Sequence, residues 1–379
     1  MSRLKSYSPE RRGLLRAGLG AFAGGAALAG PRGAFAQSSR PRELTMLAWT
    51  GHAEPDVVAA FEAANNVKIR VKYYTGGDNM LGLVAQSPPG TYDLILADAE
   101  YVRQLDEAGA IEPLDARDYP AFDDYFPEFQ KFPGHWRDGR PYAVAIRFGF
   151  LGIAYNTQAL TEREVSSYNV FWSPKLKGRV GHLDWHLPNL GELSLASGHA
   201  NPFDLDASAW SAVQAWTMSL RPQVGGFFDF GGTFAALKNG QMLAMCGIGD
   251  YITGLLEKSG VPVRTVIPEE GGLQFTEGFC IGKGSRRTEL ARSFIQYITS
   301  PEGQVRSAMM AAYPALIPSR KGWELLNREH PEEAKRQRMV LGQANVMDDI
   351  RNGQIKLRTL PTNQSLETWN DFWSRYKAG

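Results

Sequence analysis

The sequence predicts an α/β protein of two lobes joined by β crossovers, and three observations carry that prediction. Apolar strand-like runs alternate with amphipathic helical stretches along most of the chain, the pattern of a parallel, doubly wound sheet. Residues 138–157, "DGRPYAVAIRFGFLGIAYNT", form a long β-rich run with little helical period, long enough to pass from one lobe to the other. A second such run at 275–285, "FTEGFCIGKGS", gives a return crossover. Two α/β lobes with more than one connection describe a hinged clamshell, which grips a ligand between its halves.

Ahead of the first strand the chain is of a different kind. Residues 8–37 read "SPERRGLLRAGLGAFAGGAALAGPRGAFAQ", with paired arginines, a weakly apolar Gly/Ala run and Ala34-Phe35-Ala36 as a small-residue cleavage site. That is the pattern of a twin-arginine export signal, and the apolar run is too short and too rich in glycine to span a bilayer. Residues 1–36 are expected to be removed near Ala36, leaving a protein outside the cytoplasm. The 379-residue chain is 43% hydrophobic and 21% charged, with a formal net charge of +1. The leader holds six basic residues and one acid; taking them from the 41 basic and 40 acidic residues leaves 35 and 39, a net charge of −4. No basic surplus points to nucleic acid as a partner.

The first strand, "LTMLAW", stops at Trp49-Thr50-Gly51-His52, on the sheet edge where open α/β folds bind ligands. Glu54-Pro55 opens a helix with proline in its first turn and Val57, Val58, Phe61 and Ala64 on one face. "VKIRVKYY" alternates as a half-exposed strand, and a buried strand at 94–97 leads into a helix carrying Tyr101, Val102 and Leu105, stopped by Gly109. Beyond the crossover come strand "RVGHLD", a helix after Asn189, and a helix over 206–220 whose apolar face makes Trp210 core. A short helix, a strand at 242–246, a glycine-broken turn, a helix from Asp250 and a strand at 263–267 follow. Helices at 288–299 and after Pro301 precede a last forty residues that read as helix around a loop at 360–363. They close on an amphipathic helix with Leu366, Trp369, Phe372 and Tyr376.

The rival class is an enzyme, because twin-arginine export often carries folded cofactor proteins. The chain holds no GxGxxG, GxxxxGK[ST], HExxH, GxSxG or CxxC, so no cofactor and no catalytic residue is expected. His182, Asp184 and His186 in "GHLDWHLPN" share a face only if the strand continues past Asp184, and Pro188 ends it there, so no metal is assigned to them. Tyr73-Tyr74 is the only adjacent tyrosine pair that a ferric site could use, and strand alternation already accounts for Tyr73. Cys246 and Cys280 lie in apolar strand-like runs, where a bridge and two buried thiols are both open.

In order along 44–379, "LAWTGHAEPDVVAAFEAANNVKIRVKYY", "GTYDLILADAEYVRQLDEAGAIEPLD", "GFLGIAYNT", "LKNGQMLAMCGIGDY", "VIPEEGGLQFTEGFCIGKGS" and "SPEGQVRSAMMAAYPA" resemble the periplasmic spermidine/putrescine-binding proteins of ABC importers. The resemblance implies a venus-flytrap fold, with lobe 1 from 37–146 plus 275–312 and lobe 2 from 147–274 plus 313–379. It implies a monomer that closes on a polyamine or related small amine and docks on a membrane permease. Carboxylates would hold the ammonium groups and aromatic rings would flank the methylenes. Carried over, the apolar walls fall on Trp49, Phe148, Phe275 and Tyr313, with Thr50 and Tyr251 beside them. Negative charge falls on Asp98, Glu100, Asp184, Asp250 and Glu277.

The chain departs from the family pattern at several of these places. Gly51-His52 replace an acid and an aromatic, Trp185, His186 and Pro188 stand where further acids are usual, and Gly247-Ile248-Gly249 break a Trp-acid pattern. Asp98 is either a cation ligand or the cap of the following helix. Arg147, in a segment usually apolar, either faces inward toward an acidic group on the ligand or outward as a strand-edge charge. These departures keep open a zwitterionic or anionic ligand such as an amino acid, opine or aminophosphonate.

Overall fold

The computed structural model describes residues 41–379; the expected export signal lies outside the described residues. Among the described residues are twelve strands: β1 (Arg42–Ala48), β2 (Val67–Tyr73), β3 (Leu94–Asp98), β4 (Trp136–Arg137), β5 (Arg140–Pro141), β6 (Val144–Asn156), β7 (Val180–Leu183), β8 (Val224–Phe228), β9 (Ala244–Gly249), β10 (Val263–Val266), β11 (Gly272–Ile281) and β12 (Ile355–Leu357). All but the β4–β5 hairpin join one sheet, ordered β2-β1-β3-β11-β6-β9-β7-β8, with β10 on β6 and β12 on β11. The pairs β1–β2, β1–β3, β7–β8 and β7–β9 are parallel, as alternating strands and helices require.

The two expected crossovers are the centre of that sheet. β6 runs 13 residues, pairing with β11 along its first part and with β9 and β10 along its second. β11 pairs antiparallel with β3 at one end and parallel with β12 at the other. Each of the two strands thus belongs to both halves of the molecule. Their near-complete burial explains their mostly apolar sequences, since a strand covered on both faces has no solvated side, and the polar groups they do carry, Arg147 and Glu277 among them, are buried.

The local rules hold where packing agrees with them. The helix Pro55–Asn65 carries proline in its first turn and buries Val57, Val58 and Phe61, whereas Ala64, expected on the same face, is exposed. The helix His186–Ala196 begins three residues before the expected Asn189, because Pro188 fits a first turn that needs no N–H from it. The expected glycine turn after Cys246 is instead the last part of β9, laddered on β6; Gly247 takes φ +82°, a conformation that excludes most side chains.

Besides the two-residue β4, two strands have no counterpart in the sequence reading. β8, "VGGFF", is a half-exposed edge whose Gly225 lies against the Gly178 carbonyl. β12, only three residues long, interrupts a stretch that reads as helix.

The closing helix Leu366–Ala378 packs on helices His186–Ala196 and Ala207–Ser219. Trp369 stacks on Trp210 at 5.1 Å with the planes 7° apart, so Trp210 is core. Trp369→Ala should cost about 3 to 5 kcal/mol of stability in urea titration, the usual range for deleting a buried tryptophan; a loss below about 1 kcal/mol would show that this helix only decorates the domain.

Candidate functional site

The C-terminal ends of β1, β2, β3, β7 and β8 converge, and a cavity of about 390 Å³ opens where they meet β6, β11 and the residue after β12. Trp49 and Thr50 follow β1, Tyr74 and Thr75 follow β2, Asp98 ends β3, Asp184 and Trp185 follow β7, and Asp229 and Phe230 follow β8. This is the edge where strand ends leave a crevice in open α/β sheets.

Strand alternation decides which residues of the crossovers reach it. On β6, Arg147 and Leu151 face the cavity; on β11, Phe275 and Glu277 do. Between them, Gly149 lies under the Phe275 ring, which would collide with any Cβ there. Phe148 necessarily points the other way: it is fully buried against Phe129, ring centroids 4.6 Å apart, and corrects the expectation that it walls the site. Arg147 and Phe148 cannot share one face of a strand.

Arg147 is inward and fully engaged. It grips Glu277, its cross-strand partner, through Nε at 2.8 Å and Nη2 at 3.0 Å, and donates from Nη1 to the Tyr313 carbonyl at 2.6 Å. His52 Nε2 stands 3.1 Å from the same carboxylate. Burial works to raise the Glu277 carboxyl, but the Arg147 charge and the contacts with His52 prevail and hold it at about 2. Burial, with Arg147 adding to it, lowers His52, so the imidazole is neutral.

A second buried cluster lies beside the first. Arg358, the residue after β12, donates through Nε to Glu100 at 2.6 Å and brings Nη2 to 3.0 Å from Asp98 Oδ1. Its guanidinium lies 4.7 Å from the Trp185 ring centroid. Asp98 occupies the N-cap position of helix Ala99–Glu107 but makes no capping hydrogen bond. Burial pushes Asp98 up to about 8 against the opposing charge of Arg358, with Glu100 and Glu277 pushing the same way. Its Oδ2 has no hydrogen-bond partner.

Aromatic rings form the rest of the wall. Trp49 contacts Tyr74 at 4.6 Å, Phe230 at 5.6 Å and Trp185 at 5.9 Å between centroids, so rings from both ends of the sheet meet over the cavity. Tyr251 packs on Phe275 at 5.5 Å and on Tyr313 at 6.4 Å.

Nine of the twelve expected site residues line this cavity: Trp49, Thr50, Asp98, Arg147, Asp184, Tyr251, Phe275, Glu277 and Tyr313. Asp184 is already occupied, accepting from Trp373 Nε1 at 2.9 Å and from Lys377 at 2.8 Å. Glu100 lies behind the wall as the partner of Arg358. Asp250 is spent on Arg336 at 2.7 Å, away from the cavity. The sequence reading missed Arg358, Trp185, Phe230, Tyr74 and Asp229. A signal existed for Asp229: a residue that ends a strand and caps a helix, here accepting from Gly232 N at 2.7 Å, marks the same crevice edge as Asp98.

His182 is buried between Asn189 and Tyr376, at 2.8 and 3.1 Å. Among the described residues no group of three or more His, Cys, Asp or Glu side chains is arranged to hold a metal ion. Cys246 and Cys280 are both buried and free.

A family model for bacterial extracellular solute-binding proteins matches residues 56–335. The chain belongs to that family. Among relatives of this solute-binding protein, the spermidine/putrescine-binding periplasmic protein of Escherichia coli K12 is 22% identical over 270 residues, covering 70% of this chain and 75% of that one. The structure of a putative spermidine/putrescine ABC transporter from Listeria monocytogenes superposes with a TM-score of 0.75 at 18% identity, covering 89% and 99% of the two chains. The PBP MotA from A. tumefaciens B6, in complex with glucopine, superposes with a TM-score of 0.68 at 16% identity, covering 88% and 99%. The fold is thus the two-lobed one of periplasmic binding proteins, with β6 and β11 passing between the lobes.

Beneath the floor, Glu192 accepts from Gly247 N at 2.7 Å and from the Cys246 thiol at 2.8 Å, and burial pushes it up to about 8. Asp98 and Glu192 therefore keep their protons in the folded protein where an unfolded chain loses them, above about pH 4. Their contribution to stability is complete below that range and is lost as pH rises to 8. Glu277 runs the opposite way, stabilising above its unfolded value and ceasing only as pH falls toward 2. Melting curves should show stability of the ligand-free protein declining from pH 5 to 8, and Glu192→Gln should flatten the decline. Parallel wild-type and variant curves would mean that Glu192 is already ionised at pH 5.

Proposed function

We propose that this solute-binding protein serves an ABC importer, capturing a small amine of the polyamine type or a relative of it and delivering it to a membrane permease. The observation that carries this reading is Asp98: a buried carboxylate in the wall of an aromatic-lined cavity, with one oxygen lacking any donor. An ammonium supplies that donor, and the rings of Trp49, Trp185, Phe230 and Tyr251 give its alkyl chain and charge a face to rest on. The names of the relatives support the same ligand chemistry. Because the rings that meet over the cavity come from both lobes, ligand enters when they part and is buried when they close. The protein performs no catalysis and needs no cofactor in this role. Residues 1–36 would direct its export by the twin-arginine route, with cleavage near Ala36 and the protein working as a periplasmic monomer.

Titration calorimetry against putrescine, spermidine, an amino acid, aminoethylphosphonate and ferric citrate tests the reading. An amine should bind with a Kd well below millimolar, where the free energy is only about −4 kcal/mol; failure of every amine would overturn it. Trp49→Ala should weaken the bound amine by about 1 to 3 kcal/mol with the fold intact. Amine affinity should also rise with pH up to about 8, tenfold per unit, because Asp98 must lose its proton to hold a cation. Asp98→Asn should abolish that slope.

A further inference from the structure

We propose that the cavity selects a ligand bearing one ammonium and one anionic group over a diamine, with Asp98 receiving the ammonium and Arg358 the anion. The proposal rests on the small-amine reading and narrows it. The charges buried at the cavity are three carboxylates, Asp98, Glu100 and Glu277, and two guanidiniums, Arg147 and Arg358. Arg147 and Glu277 satisfy each other in a two-point grip, with the Tyr313 carbonyl and His52 closing the cluster. Neither needs a ligand.

The second cluster is left incomplete in two places. Arg358 gives Nε to Glu100, while its Nη2, 3.0 Å from Asp98 Oδ1 as an ion pair, is buried without a hydrogen-bond partner. Asp98 Oδ2 is without a donor. A bare acceptor and a bare cationic donor thus stand on adjoining side chains of one cavity. With Asp98 ionised, as a bound cation requires, three buried negative charges stand against two positive, and one remains for a ligand to neutralise. A single ammonium does so. A second ammonium finds no free buried carboxylate and meets the Arg358 guanidinium at low dielectric, where like charges repel strongly. A carboxylate at that end instead gains a charge-assisted hydrogen bond from the Arg358 guanidinium.

Three probes on a four-carbon skeleton separate the possibilities: 4-aminobutanoate, n-butylamine and putrescine differ only in whether the far end is anionic, neutral or cationic. Calorimetry on the purified protein at pH 8 should rank 4-aminobutanoate at least tenfold tighter than putrescine, with n-butylamine between them. Arg358→Gln alone strands Glu100 and Asp98 without their cation, so the double variant Glu100→Gln/Arg358→Gln, which removes one charge of each sign, is the one measured. It should lose at least tenfold for 4-aminobutanoate and hold n-butylamine within threefold. Putrescine binding as tightly as 4-aminobutanoate, or an equal loss for both probes in the double variant, would overturn the proposal and leave the amine reading standing. Absence of binding by all three would overturn both.

Discussion

The structure turns on the ion pair between Arg147 and Glu277. The two residues face each other across β6 and β11, the strands common to both lobes, and are joined by two hydrogen bonds of 2.8 and 3.0 Å at nearly complete burial. A buried charge is tolerated only when matched, and here the match also aligns what surrounds it. The same guanidinium fixes the Tyr313 carbonyl, which sets the tyrosine in the wall, and adds its charge to the burial that lowers the His52 imidazole. Phe275, two residues before Glu277, is aimed into the cavity by the same strand parity and finds room because position 149 is glycine.

Much of this was legible in the sequence. Strands ending in Trp49 and Asp98 announced the crevice edge, and the two long β runs announced the crossovers. The aromatic-x-acid spacing of Phe275 and Glu277 put both on one face. The same period-two rule would have separated Arg147 from Phe148. Arg147 was read as inward toward a ligand or outward toward water, and the structure shows a third arrangement, inward and internally neutralised. Nothing local announces a partner 130 positions along the chain.

The two missed strands explain why Asp229, Phe230 and Arg358 were missed. β8 is an edge strand with two glycines and little burial, so its composition resembles a loop, yet it delivers Asp229 and Phe230 to the cavity. β12 is three residues long and takes its shape from pairing with Gly272–Gln274 rather than from its own propensity. Arg358 follows it directly, so the cavity's second guanidinium was hidden behind a strand that exists only because β11 offers an edge to pair with.

The shared register of the crossovers also decides how the two lobes can move. β6 and β11 are paired with each other through the segment that passes between the lobes, with a shift in register beside Glu277. Sliding one strand along the other would break both the ladder and the ion pair, whereas twisting the pair about its own length preserves them. The connection therefore resists sliding more than twisting, a two-stranded axle pinned where Arg147 meets Glu277.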